Sequence, residues 1–288
     1  MQDGLTALIH PYTIKDFLDS YENNEPMLVH HSSKELGVLR DLPFLASLEI
    51  LLKSWPLPIQ AHLPDVRDEA SSIDTTAKDA QKLFDNGMGL LFNDAHLISP
   101  LLAQWLEKIK SELGVSAMTY GRCLIYATPD GKGTAPHFDQ NINFVLQIHG
   151  TKKWVMAPNQ DVINPMTRHT MGQETDPELM SYLEAPLPTE MPVAAKTFEL
   201  KPGSLLFVPR GYWHATEAEG DALSLNFTFT APTWIDLLTA ALRGRLAQSP
   251  EWRATAHAQA LEKFDFLLNE LVDDLPHWKA ADILNVTE

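Results

Sequence analysis

From Met118 to Phe229 this chain breaks into short strand-like runs separated by turn residues, and that pattern constrains its fold more than anything else in it. The runs are Met118–Ala127, Asn143–His149, Lys152–Ala157, Ala195–Leu200, Ser204–Val208, Trp213–Ala218 and Ala222–Thr230. Pro129-Asp130-Gly131, Gly150-Thr151, Pro202-Gly203 and Glu219-Gly220-Asp221 punctuate them. Short strands with regular turns predict a sandwich or a barrel. Pro158–Pro192, rich in proline, polar residues and methionine, interrupts the pattern. It reads either as a lid or binding loop over the barrel or as a plain surface excursion.

The flanks read differently. Helical periodicity is expected over Tyr12–Tyr21, from Asp41-Leu42-Pro43 to about Trp55, over Thr76–Asp85 and over Ile98–Leu113. Pro26–His30 and Gly89–Phe92 read as strands, and Pro64–Thr75 as a polar loop. After Pro232 one helix should align Trp234, Ile235, Leu238, Ala241 and Leu242. A second should follow Pro250, with Trp252, Leu261, Phe264, Leu267, Leu268 and Leu271. These faces carry more apolar surface than a detached tail would expose, so they either pack on the barrel or form a homodimer interface. The expected organisation is a mixed α/β part at 1–116, a β core at 117–231 with an insertion at 158–194, and a helical extension at 232–288.

The formal net charge of −16 repels phosphate backbones, so nucleic acid is not an expected partner. No apolar run reaches the ~20 residues of a membrane span. The first residues lack the basic and apolar segments of a signal peptide. The single cysteine, Cys123, excludes an internal disulfide and reads as a core thiol. A cytoplasmic setting is expected.

Two stretches carry chemistry: His137-Phe138-Asp139, and His214 within Val208-Pro209-Arg210-Gly211-Tyr212-Trp213-His214. Residues i and i+2 of a strand point the same way, so His137 and Asp139 can reach one metal while Phe138 turns away. A barrel can bring His214 beside them. Two imidazoles and a carboxylate without a thiolate form a hard, open site suited to iron(II). Short H-x-D pairs also arise by chance. His30, His31, His62, His96, His149, His169, His257 and His277 lack such a setting and read as surface or core residues.

The surroundings are more specific. Gly133-Thr134-Ala135-Pro136-His137-Phe138-Asp139-Gln140 is followed by Asn143-Phe144-Val145-Leu146-Gln147-Ile148-His149-Gly150-Thr151-Lys152-Lys153-Trp154, then by Leu200–Pro209, Trp213-His214 and Leu223-Ser224-Leu225-Asn226-Phe227. Residues 118 to 230 resemble the JmjC (cupin-like) family of iron(II)- and 2-oxoglutarate-dependent oxygenases. They are most similar to its hydroxylase branch, which contains the ribosomal oxygenases and the asparaginyl hydroxylase acting on hypoxia-inducible factor. The resemblance implies a mainly β fold, a double-stranded β-helix (jelly-roll or cupin) with flanking helices. It implies His137, Asp139 and His214 as metal ligands and Lys152 and Thr134 as contacts for the distal carboxylate of 2-oxoglutarate. It also implies Asn143 and Asn226 as amides near that cosubstrate. Family members often add a tyrosine from an earlier strand. Gly89-Leu90-Leu91-Phe92 has none, which leaves Tyr120 or Tyr126.

Alternation puts Lys152, Trp154 and Met156 on one face of their strand and Lys153, Val155 and Ala157 on the other. A lysine facing inward among apolar residues needs a partner; Lys153 is the alternative inward residue. Asn226 shares a polar face with Ser224 and Thr228. The reaction implied consumes O2 and 2-oxoglutarate and hydroxylates a protein side chain, releasing succinate and carbon dioxide. The alternatives are a small-molecule or peptide natural-product hydroxylase, a demethylase, and a non-catalytic cupin-like binding protein.

Overall fold

The computed structural model describes residues 3–32, 35–63, 71–257 and 261–281. They form two units: residues 1–114 with 121–230, and residues 115–120 with 231–288.

The first unit opens with helices α1 (Gly4–Ile9) and α2 (Ile14–Glu22), then β1 (Met27–His30), α3 (Gly37–Arg40), α4 (Leu48–Ser54), β2 (Ile59–His62), β3 (Ser72–Thr75), α5 (Ala77–Asp85), β4 (Gly89–Phe92) and α6 (Pro100–Leu113). The strands β5 (Tyr120–Thr128), β6 (Gly133–Phe138), β7 (Ile142–Ala157) and β8 (His169–Thr170) follow. Helix α7 (Pro177–Met180) precedes β9 (Lys196–Leu200), β10 (Ser204–Val208) and β11 (Trp213–Thr230). Eleven strands share one sheet, ordered β1-β10-β7-β11-β5-β4-β2-β3, with β6 on β11 and β8, and β9 on β7. The described pairings are antiparallel. The fold is mainly β with flanking helices, a double-stranded β-helix. No described helix is long and apolar enough to cross a membrane.

Local signals place most elements. Thr13 caps α2 through a reciprocal bond with Asp16, and α6 starts on the Ser99 cap with Pro100 in its first turn. Gly114 ends α6 at φ 65. The helix expected from Asp41 to Trp55 is instead a 3-10 turn, Pro43–Leu45, followed by α4. The Ser47 hydroxyl accepts from the Ile50 N–H and restarts the helix there. In the stretch expected as a loop, Ser72–Thr75 pairs with β2 as β3, and 64–70 lie outside the described residues.

The largest correction concerns turns. Gly150-Thr151 and Glu219-Gly220-Asp221 do not end strands; they lie inside β7 and β11, which run side by side for most of their length. Register shifts near Glu219 and Leu223, with Gly150 at φ 68 and Gly220 at φ 71, bend the strands as bulges do. Long bent strands let one segment serve two parts of the barrel. Strand β6, which carries His137 and Phe138 of the stretch read as a strand and extends back to Gly133, pairs with β11.

The core is apolar where alternation predicts. Phe17, Phe144 and Phe207 meet at 4.8 to 5.5 Å between ring centroids. Cys123 is fully buried, and desolvation raises its thiol pKa far above the usual range, so it is inert. His31 bonds the Leu8 carbonyl, His149 the Leu45 carbonyl and His30 the Ser204 hydroxyl, as expected for satisfied histidines.

The second unit contains α8 (Trp234–Leu246) and α9 (Leu261–Asp274). Thr233 and Asp236 form the capping box of α8, and Arg245 pairs with Asp274. The second helix is described over Leu261–Asp274, and Trp252, expected on it, lies in a turn and meets the Phe264 ring edge-on.

A Cβ on Gly150 would lie 2.2 Å from the Asp221 carbonyl oxygen, at a backbone angle that L residues rarely adopt. Gly150→Ala should therefore lower stability by roughly 1–3 kcal/mol in chemical denaturation. An unchanged midpoint would contradict the close approach of β7 and β11.

Candidate metal centre

Strand pairing brings the two histidines together. His137 on β6 stands directly opposite His214 on β11, and their ring centroids are 4.0 Å apart. Asp139 follows the end of β6, and its carbonyl accepts from the Gly211 N–H at 2.8 Å, which ties it to the turn before β11. Phe138, between the two ligand candidates, is fully buried against Trp213 on the other side. The i, i+2 reading of His137 and Asp139 thus holds even though Asp139 lies just past the strand.

The ring orientations are fixed. His137 Nδ1 donates to the Ala135 carbonyl at 2.7 Å, and His214 Nδ1 donates to the Tyr212 carbonyl at 2.8 Å. A carbonyl only accepts, so each Nδ1 carries a proton and each Nε2 is the ring atom turned towards Asp139. Asp139 Oδ2 lies 3.9 Å from His137 Nε2 and 3.6 Å from His214 Nε2. One donor atom from each residue falls within 4.8 Å of the others, so a single ion can bridge them. Burial, reinforced by His137, holds the His214 imidazole well below its usual pKa, which keeps it in the neutral, ligating form. Burial raises Asp139, which favours a cation beside it. The donor set fits a hard divalent ion of the iron(II) type.

Arg168 was not foreseen. Its Nε donates to Asp139 Oδ1 at 3.1 Å, so one carboxylate oxygen is held by the protein and the other faces the histidines. It comes from the insertion, which is no surface excursion. Val162, Met171 and Leu179 pack with Phe138, Ala157 and Trp213 in one core cluster, and β8 pairs with β6 at His137 and Phe138.

A cleft of about 380 Å³ opens on this centre, a volume typical of ligand sites. Lys152, not Lys153, points into it, 5% exposed, and donates to the Thr128 hydroxyl at 2.9 Å. Desolvation pushes its pKa down to about 8. Lys153 instead pairs with Glu219 at the surface. Thr134, Asn143 and Asn226 also line the cleft. The Thr134 and Thr216 hydroxyls are 2.9 Å apart, and Asn143 accepts from Thr228. Asn226 Oδ1 is buried without a donor among the described residues. Of the two tyrosines, Tyr126 lines the cleft, with its ring 5.9 Å from Lys152 Nζ, whereas Tyr120 is 59% exposed. The alternation of β5 that sends Tyr126 inward also sends in Arg122, Leu124 and Thr128, a local signal present in the sequence. Arg168 has no such signal, because the insertion lacks periodicity.

Removing the partner of a ligand carboxylate typically costs ten- to a hundredfold in metal affinity. Arg168→Ala should weaken Co(II) binding by about tenfold or more, read by competition with a chelator, and Arg168→Lys should recover part of it. Equal affinity in all three proteins would remove Arg168 from the site.

Residues 106–237 match the JmjC domain. The Bacillus subtilis (strain 168) uncharacterized protein YxbC is 30% identical over 279 residues, covering 94% of this chain and 84% of that one. Ribosomal oxygenase 1 of Gallus gallus is 25% identical over 312 residues, covering 96% of this chain. This chain spans 48% of that relative's length. YcfD, a ribosomal oxygenase from Escherichia coli solved with cobalt and succinic acid, superposes with a TM-score of 0.55 at 17% identity, over 96% of this chain and 69% of that one. That likeness concerns the fold. Taken with the matched domain, these relatives show that the chain belongs to the JmjC-domain family.

Proposed function

We propose that this JmjC-domain chain is an oxygenase that uses iron(II) and 2-oxoglutarate to hydroxylate a side chain of a protein or peptide. The observation that carries this reading is the pair of Nδ1-locked imidazoles whose Nε2 atoms face one free oxygen of Asp139 at the head of a cleft with a buried lysine. The YcfD structure with cobalt and succinic acid, and the name ribosomal oxygenase carried by the Gallus gallus relative, support it. Iron(II), when bound, supplies the coupling of O2 and 2-oxoglutarate decarboxylation to hydroxylation of a C–H bond.

In this reading His137, Asp139 and His214 hold the metal and Arg168 orients Asp139. Lys152 offers its ammonium to the distal carboxylate of 2-oxoglutarate, with Thr134 as a neighbouring hydroxyl. Asn143 and Asn226 orient the cosubstrate, and the buried Asn226 oxygen marks a place where a ligand donor or water would be accepted. The buried walls exclude water from the reacting groups. The cellular setting we propose is the cytoplasm, with no nucleic-acid or membrane partner. For the second unit we propose a homodimer. Trp234, Ile235 and Leu238 of α8 and Leu261, Phe264 and Val272 of α9 are exposed. A monomeric mass by light scattering at micromolar concentration would reject the dimer.

Asp139→Ala should lose iron binding and turnover together; iron affinity equal to the parent sinks its assignment. Lys152→Ala should weaken 2-oxoglutarate by about tenfold or more, the scale of a charged hydrogen bond, while iron affinity stays near the parent. The pH dependence has a definite sign. A bound carboxylate raises the lysine pKa above its free value of about 8. Affinity is therefore full below that pH and falls by up to about tenfold per unit above it, until the bound pKa is reached. A flat profile between pH 7 and 9.5 would argue against Lys152; such a titration spans roughly the range of a shifted lysine.

The deciding experiment compares, by mass spectrometry, proteomes of cells expressing the parent and Asp139→Ala. A peptide gaining one oxygen only with the parent establishes the reading and names the target. Succinate formation without any such peptide moves the assignment to a small molecule, and no iron-dependent succinate at all indicates a non-catalytic cupin.

A further inference from the structure

One wall of the cleft carries Gln60 on β2, Asn93 just after β4, and Arg122 on β5. Their hydrogen bonds all run in one direction. Arg122 donates to Asp94 from Nε at 2.9 Å and from Nη2 at 3.5 Å. Arg122 Nη2 also donates to Asn93 Oδ1 at 2.6 Å, and Asn93 Nδ2 donates to Gln60 Oε1 at 2.9 Å. A guanidinium has donors and no acceptor, so it fixes which end of Asn93 faces it. Asn93 in turn fixes Gln60. The amide orientations, otherwise a matter of assignment, follow from the chain of bonds.

What this network leaves over is the Gln60 NH2, with two N–H donors and no acceptor among the described residues. Leu90, Leu91 and Leu124 line the same cleft and are buried. A donor against such a surface gains from an acceptor and loses if none is supplied. The charge at the far end is closed, because Arg122 is offset by Asp94. The exposed end is thus a polarised donor without net charge. It suits a neutral carbonyl better than a carboxylate, which a cation such as Lys152 would hold more strongly. Gln60 is also rigidly placed, paired on one side with Asp74 of β3 and on the other with Leu91 of β4, so little order is lost on binding.

We infer that Gln60 is a substrate-binding residue whose side-chain N–H donates to an amide carbonyl of the peptide. Asn93, Arg122 and Asp94 are its positioning residues. The inference rests on the reading of the cleft as a site for protein or peptide substrates and names the chemistry that recognises them.

The test uses the full chain loaded with Zn(II) and 2-oxoglutarate and titrated with N-acetylglycine N-methylamide, with the side-chain amide resonances followed by NMR. A saturable shift of one side-chain NH2 pair is expected, and it should vanish in Gln60→Glu and in Gln60→Met. Two variants of different polarity guard against a folding defect in either, and unchanged melting temperatures confirm it. No shift, or a shift that persists in both variants, overturns the inference. An equal response to acetate overturns the choice of a neutral carbonyl. With a hydroxylated peptide in hand, Gln60→Met should raise its KM by about three- to tenfold, the worth of one neutral hydrogen bond, with 2-oxoglutarate affinity unchanged. An unchanged KM likewise overturns it. A Gln60 response to the amide in a protein that hydroxylates nothing would reject the proposed function and leave the carbonyl site standing.

Discussion

The antiparallel pairing of β6 with β11 is the constraint on which the rest of this molecule depends. It sets His137 against His214, seventy-seven positions apart in the chain, and the strand geometry fixes which faces meet. A slip of one residue in this register would turn Phe138 into the cleft and His137 into the core. The slip is opposed from both sides. Phe138 and Trp213 are fully buried, and burying such side chains is worth about 1.5–3 kcal/mol each. Both imidazoles then use their Nδ1 on a carbonyl two residues back, so the strand that places each ring also sets its tautomer.

The insertion is tied into the same arrangement. Strand β8 adds a rung beside His137, the Met171 N–H donates to the Pro136 carbonyl at 2.8 Å, and Arg210 grips the Pro165 carbonyl. The segment that contributes Arg168 is therefore bonded both to the strand before Asp139 and to the turn before His214. A carboxylate with one oxygen held by a guanidinium presents the other in a fixed direction. The site's geometry is thus over-determined by packing and hydrogen bonds, which is what a centre with open coordination positions requires.

The cleft uses its polar groups unequally. Lys152 is a cation kept away from water, which lowers its pKa and prepares it for an anion. The Gln60–Asn93–Arg122–Asp94 chain is the opposite device, a charge closed on itself whose free end is neutral. One arrangement suits a carboxylate, the other an uncharged carbonyl. That contrast between the two agrees with a cosubstrate and a peptide substrate sharing one cleft.

The β core and the inward faces of Lys152 and Asn226 were legible in the sequence, because alternation of side chains along a strand is a local rule. The motif around His137-Phe138-Asp139, with His214, was legible because the residue types themselves define the chemistry. Strand lengths were not. Gly150 and Gly220 carry the signature of turns, and only the neighbouring strand decides whether such a glycine ends a strand or bends it. His137-Phe138-Asp139 was legible as a strand, but the extra residue of β6 at Ala135-Pro136, which bulges opposite His214–Thr216 of β11, was not. Arg168 and the donor chain ending at Gln60 were invisible for a different reason. Their roles come from partners 28 to 33 residues away, across strands and loops, and no local period records such bonds. The sequence by itself determined the chemistry available to this protein. Only tertiary pairing decided which groups share a cleft, because register and hydrogen-bond direction are properties of two strands and never of one.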